Sequence, residues 1–260
     1  MKVGLSTLFC FEQLFTTMLR YIETADVESI ELIDDGQHAF NESRIKTLKE
    51  IVKKRGFATS VHAPFMNVNI ASSSKSVRTS IMSRLKKSIQ YSGDLGSRYW
   101  VFHPGLQTDV GQFSSELDWK TNLESIRELF DFAEQFGVTA TIENGLHPLP
   151  FLLKTADDFL RFYKDFGETT LGLTLDIGHA NVNNQINWFF EKLPEKIVHA
   201  HLHDNHGKSD EHLGLGDGNV DWQKTVRAFK RISFKGTLVI ESAKNVEESI
   251  QRLKELIARP

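Results

Sequence analysis

Apolar residues fall along the chain in two alternating textures. Short runs rich in Val, Ile, Leu, Phe and Thr recur at KVGLS (2–6), SIELID (29–34), ATSVHA (58–63), YWVFHP (99–104), TATIEN (139–144), LGLTLD (171–176), IVHAHLH (197–203) and TLVIES (237–242). Several are bounded by Gly or Pro, and most lack strict alternation. Parallel strands covered on both faces read this way. Between them lie longer stretches with apolar residues at helical spacing. In NESRIKTLKEIVKKRG, Ile45, Leu48, Ile51 and Val52 make one face and Gly56 stops it. SVRTSIMSRLKKSIQYSGDLG, LDWKTNLESIRELFDFAEQFG and NVEESIQRLKELIARP behave likewise. Thr155 to Asp158 has the form of a capping box, with Asp in place of the usual Glu or Gln. Asn184 to Leu193 is a shorter, aromatic segment.

Eight strand–helix units in 260 residues predict a (β/α)₈ barrel, eight parallel strands inside a ring of outer helices. A doubly wound open sheet usually has fewer strands, and no Gly-rich phosphate loop follows the first strand. No linker or compositional break marks a second unit, so residues 1–260 are expected to form one barrel domain.

Barrel active sites lie at the carboxyl ends of the strands. The third strand ends in His62 and the fourth in His103, each followed closely by a proline. The fifth ends in Glu143, the sixth in Asp176 with His179 three residues on, and the eighth in Glu241. The seventh passes through His199, His201 and His203, which period-two geometry puts on one face. Spacing alone does not choose among these three as a ligand. Each residue has an ordinary structural explanation, but the coincidence is harder to explain. Unpaired carboxylates buried side by side cost several kcal/mol, and a shared divalent cation compensates them. Imidazole and carboxylate without thiolate suit zinc, manganese, cobalt or ferrous iron better than calcium. After the seventh strand, HLHDNHGKSDEHLGLGDG (201–218) reads as a loop over the barrel mouth that can bring Asp210 and His212 back as further ligands. Asp221-Trp222 is placed at the start of the next helix. His38, His147 and His206 lie in polar loops and are expected to be solvated.

Composition adds boundaries. Hydrophobic residues make up 40% of the chain, enough for one large core. The net charge is −3 with no long run of one sign, so no electrostatic footprint for nucleic acid or anionic lipid stands out. The basic stretch Arg84 to Lys87 reads as a solvated helix face. One cysteine, Cys10, permits no internal disulfide, which fits a cytoplasmic protein, and it is expected in the core. The start, MKVGLSTLFCF, is broken by Ser6 and Thr7 and reads as a strand and loop rather than a signal peptide. No apolar run approaches the ~18 residues that span a bilayer. Trp119, Trp188, Phe189 and Phe190 are assigned to the core, with a cover over the mouth as the alternative.

Over nearly its whole length the chain resembles the xylose isomerase-like TIM-barrel superfamily. The motifs that carry the resemblance are VHAPF (61–65), VFHPG (101–105), IEN (142–144), LDIGHAN (175–181), HLHDN (201–205), DEHLGLGDGNVDW (210–222) and IES (240–242). Two branches imply different sites. Resemblance to ketose 3-epimerases implies one metal on Glu143, Asp176, His201 and Glu241, the two glutamates also shuttling the proton, with His179 at the substrate. That branch usually carries an Arg where this chain has Gly207, and a substrate-contacting Glu where it has Leu149. Resemblance to endonuclease IV implies three zinc ions on His62, His103, Glu143, Asp176, His179, His201, Asp210, His212 and Glu241, with Phe65-Met66 at the DNA-wedge position. The Asn-Pro-Arg loop of that enzyme is missing, and IELIDDGQHAF stands in its place.

The leading expectation is a zinc- or manganese-dependent isomerase or epimerase of a small sugar or sugar phosphate. Glu143 and Glu241 move the proton, and His62, His103 and His179 steady the substrate. The alternative is a phosphodiester hydrolase of abasic DNA with up to three ions. A non-catalytic metal- or sugar-binding module is a third reading.

Overall fold

The computed structural model describes residues 1–259 apart from 110, 112, 168 and 169. Eight strands close into a parallel barrel in chain order. They are β1 (Lys2–Ser6), β2 (Ser29–Ile33), β3 (Ala58–His62), β4 (Tyr99–Phe102), β5 (Thr139–Glu143), β6 (Gly172–Asp176), β7 (Ile197–Leu202) and β8 (Thr237–Ile240). The expected (β/α)₈ barrel is the observed fold. The ring closes where β1 pairs with β8, Leu5 standing opposite Ile240. β2 and β6 are buried at every position, as strands covered on both faces must be.

Helices ring the barrel: α1 (Phe15–Thr24), α2 (Glu42–Arg55), α3 (Lys75–Leu95), α4 (Ser115–Gln135), α5 (Ala156–Phe166), α6 (Ile177–Val182), α7 (Ile186–Lys192), α8 (Trp222–Arg231) and α9 (Val246–Ala258). Their boundaries follow local chemistry. The Asn41 side chain accepts from Arg44 N at 2.9 Å to start α2, and Gly56 at φ 70° ends it. Thr155 and Asp158 form the expected capping box of α5, closed by bonds of 3.1 and 2.8 Å. Asp221 caps α8. Phe159, Phe162, Phe189 and Phe229 fill the layer between helices and barrel, fully buried.

Three local expectations change, and one helix carried no sequence signal. Arg84 does not lie on a solvated face. Its guanidinium grips the fully buried Asp34 carboxylate through two bonds of 2.8 and 2.6 Å. His38 is buried rather than solvated, because its ring packs edge-on against Phe11 and donates to Gln13 O at 3.0 Å. Trp188 alone of the four assigned aromatics is exposed; Trp119, Phe189 and Phe190 are core. α1 went unmarked because it lacks punctuation. Its N-cap is Leu14, with no side-chain cap and no acid in the first turn. Cys10 is buried as expected, and burial pushes its thiol up to about 12. Exposed His147 and His206 match the sequence reading.

The register brings the strand ends to one rim. His62 stands opposite Val101, Glu143 opposite Thr174, and Asp176 opposite His201. The loop that follows β7 is organised by Asp204, which is fully buried. Its carboxylate accepts from Asn205 N (2.9 Å), Gly216 N (2.8 Å), Val220 N (3.1 Å) and the Trp222 indole (2.7 Å). Its backbone exchanges two 2.9 Å bonds with Leu213, so the chain must double back. That fold-back returns Asp210 and His212 to the rim. Replacing Asp204 by Ala leaves four donors without their acceptor. It is expected to cost on the order of 3 kcal/mol and to speed amide hydrogen exchange at Gly216 and Val220, readable by mass spectrometry and chemical denaturation.

Candidate metal centre

At the floor of the mouth, donor atoms of Glu143, Asp176, His201 and Glu241 lie within 4.8 Å of one another. His201 Nδ1 is 3.3 Å from Glu143 Oε1, 3.3 Å from Glu241 Oε2 and 3.9 Å from Asp176 Oδ2. All four side chains are buried. Glu143 Oε2, Asp176 Oδ2 and His201 Nδ1 have no hydrogen-bond partner. Ligand atoms around a tetrahedral ion with bonds near 2.0–2.1 Å sit roughly 3.3–3.4 Å apart. Orphaned, buried, correctly spaced donors of mixed carboxylate and imidazole type therefore fit a divalent cation.

Two further groups flank this one. His62, His103 and Glu143 converge through Glu143 Oε2, at 3.3 Å from His62 Nε2 and 3.2 Å from His103 Nε2. On the other side, His179, His203, Asp210 and His212 converge. Asp210 Oδ2 is 3.4 Å from His179 Nε2 and 3.2 Å from His212 Nε2, and its Oδ1 is 3.5 Å from His203 Nε2. Three of these imidazoles are held in one tautomer by backbone. Nδ1 donates to Ala63 O from His62 (2.8 Å), to Asn144 O from His179 (2.8 Å) and to Glu241 O from His212 (2.7 Å). Each thereby turns Nε2 to the mouth, the atom it would offer a metal once that nitrogen has lost its proton. All nine residues expected at the site are thus brought together, in three adjoining groups.

The neighbours are equally specific. Asn144 clasps β6 to β5, accepting from Asp176 N (2.8 Å) and donating to Asp176 O (3.1 Å). Asp176 caps α6 through His179 N at 2.6 Å. Gly178 admits the His203 ring, because a Cβ there would overlap it. His203 in turn stacks on His212 with ring centroids 3.9 Å apart.

Two participants were missed in the sequence. Glu31, on β2, is fully buried and lies 2.8 Å from His201 Nε2, on the ring edge opposite Nδ1. It also accepts from Ser60 Oγ (2.8 Å) and meets His199 Nε2 (2.8 Å). His199 is therefore Glu31's partner beneath the site rather than a rim ligand. A lone Glu inside an apolar strand was the available signal. His203 was noted on its strand face but not as part of the group with Asp210.

Electrostatics follow the packing. Burial opposes charge on every one of these groups, and the paired partners outweigh it. His201 and His103 hold the Glu143 carboxyl well below its ordinary range. His179 and His203 lower Asp176. Glu241, Glu31 and Glu143 hold His201 well above its ordinary value, and Asp176 and Asp210 do the same for His179. Burial works against His212, yet Asp210 raises it to about 9. Above the floor a cavity of about 630 Å³ opens, bounded by Leu8, Phe65, Leu106, Leu149 and Phe151 as well as the rim histidines.

The direction of these shifts fixes a pH dependence. Without metal, His212 carries a proton between its unfolded value near 6.5 and about 9. The folded chain binds a proton there that the unfolded chain does not, so metal-free stability falls as pH rises through that window. Metal uptake must displace this proton, so affinity rises over the same window. Zinc titrations at pH 6.5 and 8.5, with melting curves of the metal-free and loaded protein, are expected to show opposite pH trends.

Comparison with known proteins gives the same fold. A family model described as "Xylose isomerase-like TIM barrel" matches residues 19–256. An uncharacterized protein of Methanocaldococcus jannaschii is 31% identical over 255 residues, covering 96% of this chain and 86% of its own. A D-psicose 3-epimerase of Ruminiclostridium cellulolyticum is 24% identical over 212 residues, covering 78% and 69%. A solved structure described as a D-tagatose 3-epimerase-like protein superposes with a TM-score of 0.92 at 30% identity, covering 99% of this chain and 97% of its own. With the family model spanning most of its length, the chain belongs to the xylose isomerase-like TIM-barrel family.

Proposed function

We propose that this chain is a divalent-metal-dependent isomerase or epimerase of a small hydroxy-carbonyl substrate of the sugar type. The observation that carries the reading is the convergence of Glu143, Asp176, His201 and Glu241, with Glu143 and Glu241 facing an open-mouthed cavity. Kinship with sugar 3-epimerases supports it. Zinc or manganese held by these four residues would bind adjacent substrate oxygens and polarise a carbonyl, making the neighbouring C–H acidic. Glu143 and Glu241 come from β5 and the end of β8, three strands apart around the ring. Each offers a carboxylate at the same floor, so one takes the carbon-bound proton and the other returns one. His62 and His103 both face Glu143 Oε2, at 3.3 and 3.2 Å. Ser6 donates to Glu241 Oε1 at 3.3 Å. His179 and His103 stand at the cavity wall, where they can hold substrate oxygens.

A specific observation favours a second reading. Glu143 belongs to two of the donor groups, and the His179–Asp210–His212 side forms another. Up to three ions, two of them sharing Glu143, would suit phosphodiester hydrolysis, with abasic DNA as the substrate to test.

The two readings separate in one set of measurements. Deuterium uptake from heavy water into a panel of ketoses is expected for the metal-loaded protein. Glu143→Gln or Glu241→Gln should lower it by about 10²-fold or more. Nicking of an oligonucleotide with an abasic site, abolished by Glu143→Gln and accompanied by more than one ion per chain, would instead establish the hydrolase.

A further inference from the structure

The cavity above the floor has an unusual wall for a sugar site. Apart from the candidate metal-binding side chains, its polar lining consists of two amides, Asn67 and Asn69. Among the described residues that line it there is no lysine, arginine, serine, threonine or tyrosine. Asn69 is already committed. It donates to Leu106 O at 3.0 Å and accepts from Leu106 N (2.8 Å) and Ala71 N (2.9 Å). The backbone of the wall is also turned inward. Gln107 N donates to Pro150 O at 2.8 Å, and Leu152 N to Gly105 O at 2.9 Å. These bonds fasten the loops after β3, β4 and β5 into one surface. What that surface presents is Phe65, Val68, Leu106, Leu149 and Phe151, and Leu8 joins them from the turn after β1. Phe65 and Phe151 stand directly against His103, with ring centroids 6.1 and 5.6 Å away. A ligand seated on the floor therefore runs straight into hydrocarbon.

Hydroxyl groups pressed on such a wall lose water and find no partner, which costs free energy for each one. Away from the candidate metal-binding histidines, a phosphate group there would meet no lysine or arginine. Apolar atoms gain from the same burial. We propose that the ligand of this cavity has a chelating hydroxy-carbonyl head and an apolar, uncharged tail, such as a deoxygenated or aryl- or alkyl-substituted far end. The chemistry assigned to the head rests on the function proposed above, and the tail is assigned by the wall. A phosphorylated or fully hydroxylated sugar does not match it.

Hydroxamates test head and tail separately, because the same bidentate group can carry different tails. Calorimetric titration of the zinc-loaded protein is to be run with acetohydroxamate, benzohydroxamate, gluconohydroxamate and phosphoglycolohydroxamate, each corrected for its affinity for free zinc. Benzohydroxamate is expected to bind about tenfold tighter than acetohydroxamate, or better. The polyhydroxylated and phosphorylated members should bind no tighter than acetohydroxamate. Leu149 is half exposed, so Leu149→Gln spares the core, and it is expected to narrow the benzo-to-aceto ratio. If gluconohydroxamate or phosphoglycolohydroxamate is the tightest, the apolar tail is overturned while the metal-dependent head stands. If none of the four binds, the metal centre fails and the inference falls with it.

Discussion

Glu31, Glu143, Asp176 and Glu241 are buried around His201 at the end of an apolar barrel, and this concentration of carboxylate sets the terms for the rest of the molecule. Unpaired charges in such a place cost several kcal/mol each even after relaxation. They persist only if positive charge is supplied among them, from protonated imidazoles or from a cation. The chain provides the first through His62, His179, His201 and His212, whose protonated forms the surrounding carboxylates favour. It makes room for the second by leaving donor atoms at ligand-like separations. Much of the surrounding detail then has one purpose. The Asn144 clasp, the Gly178 clearance and the Asp204 loop each hold a rim side chain where its neighbours' charges demand it.

The same rim explains why two chemistries compete for this scaffold. The proposed proton transfer at carbon calls only on the four-residue floor, while the flanking groups offer places for more ions. What differs is the wall. Its leucines and phenylalanines make the cavity selective toward the non-reacting part of a substrate, which the metal-facing residues do not read. Selectivity and reactivity are thus lodged in separate parts of the same mouth.

Much of this was legible in the sequence. Strands covered on both faces announce themselves as apolar runs, and their ends then mark the rim, so His62, His103, Glu143, Asp176 and Glu241 could be found by counting. Asp210 and His212 were legible because glycines and acids crowd that loop. Other features depend on where loops travel, which spacing does not encode. His38 sits in a polar stretch and is nonetheless buried against Phe11. Arg84 looks like part of a basic helix face until the Asp34 carboxylate is seen beside it. Glu31 was hidden because a single acid within SIELI has no periodic partner, and its meaning comes from β7 on the far side of the barrel. The apolar wall is a product of the segments after β1, β3, β4 and β5, from which no single stretch of sequence could have been recognised as a surface.

The junction after β6 has a mechanical implication. Asp176 is both the last residue of a strand and the cap of the helix that follows, with no connecting segment between them. Its carboxylate belongs to the floor group, and His179, one helical turn along, belongs to the flanking group. The two groups are therefore geared together: a tilt of this short helix shifts both. An insertion at this joint would throw two donor positions out of alignment at once, one in each group.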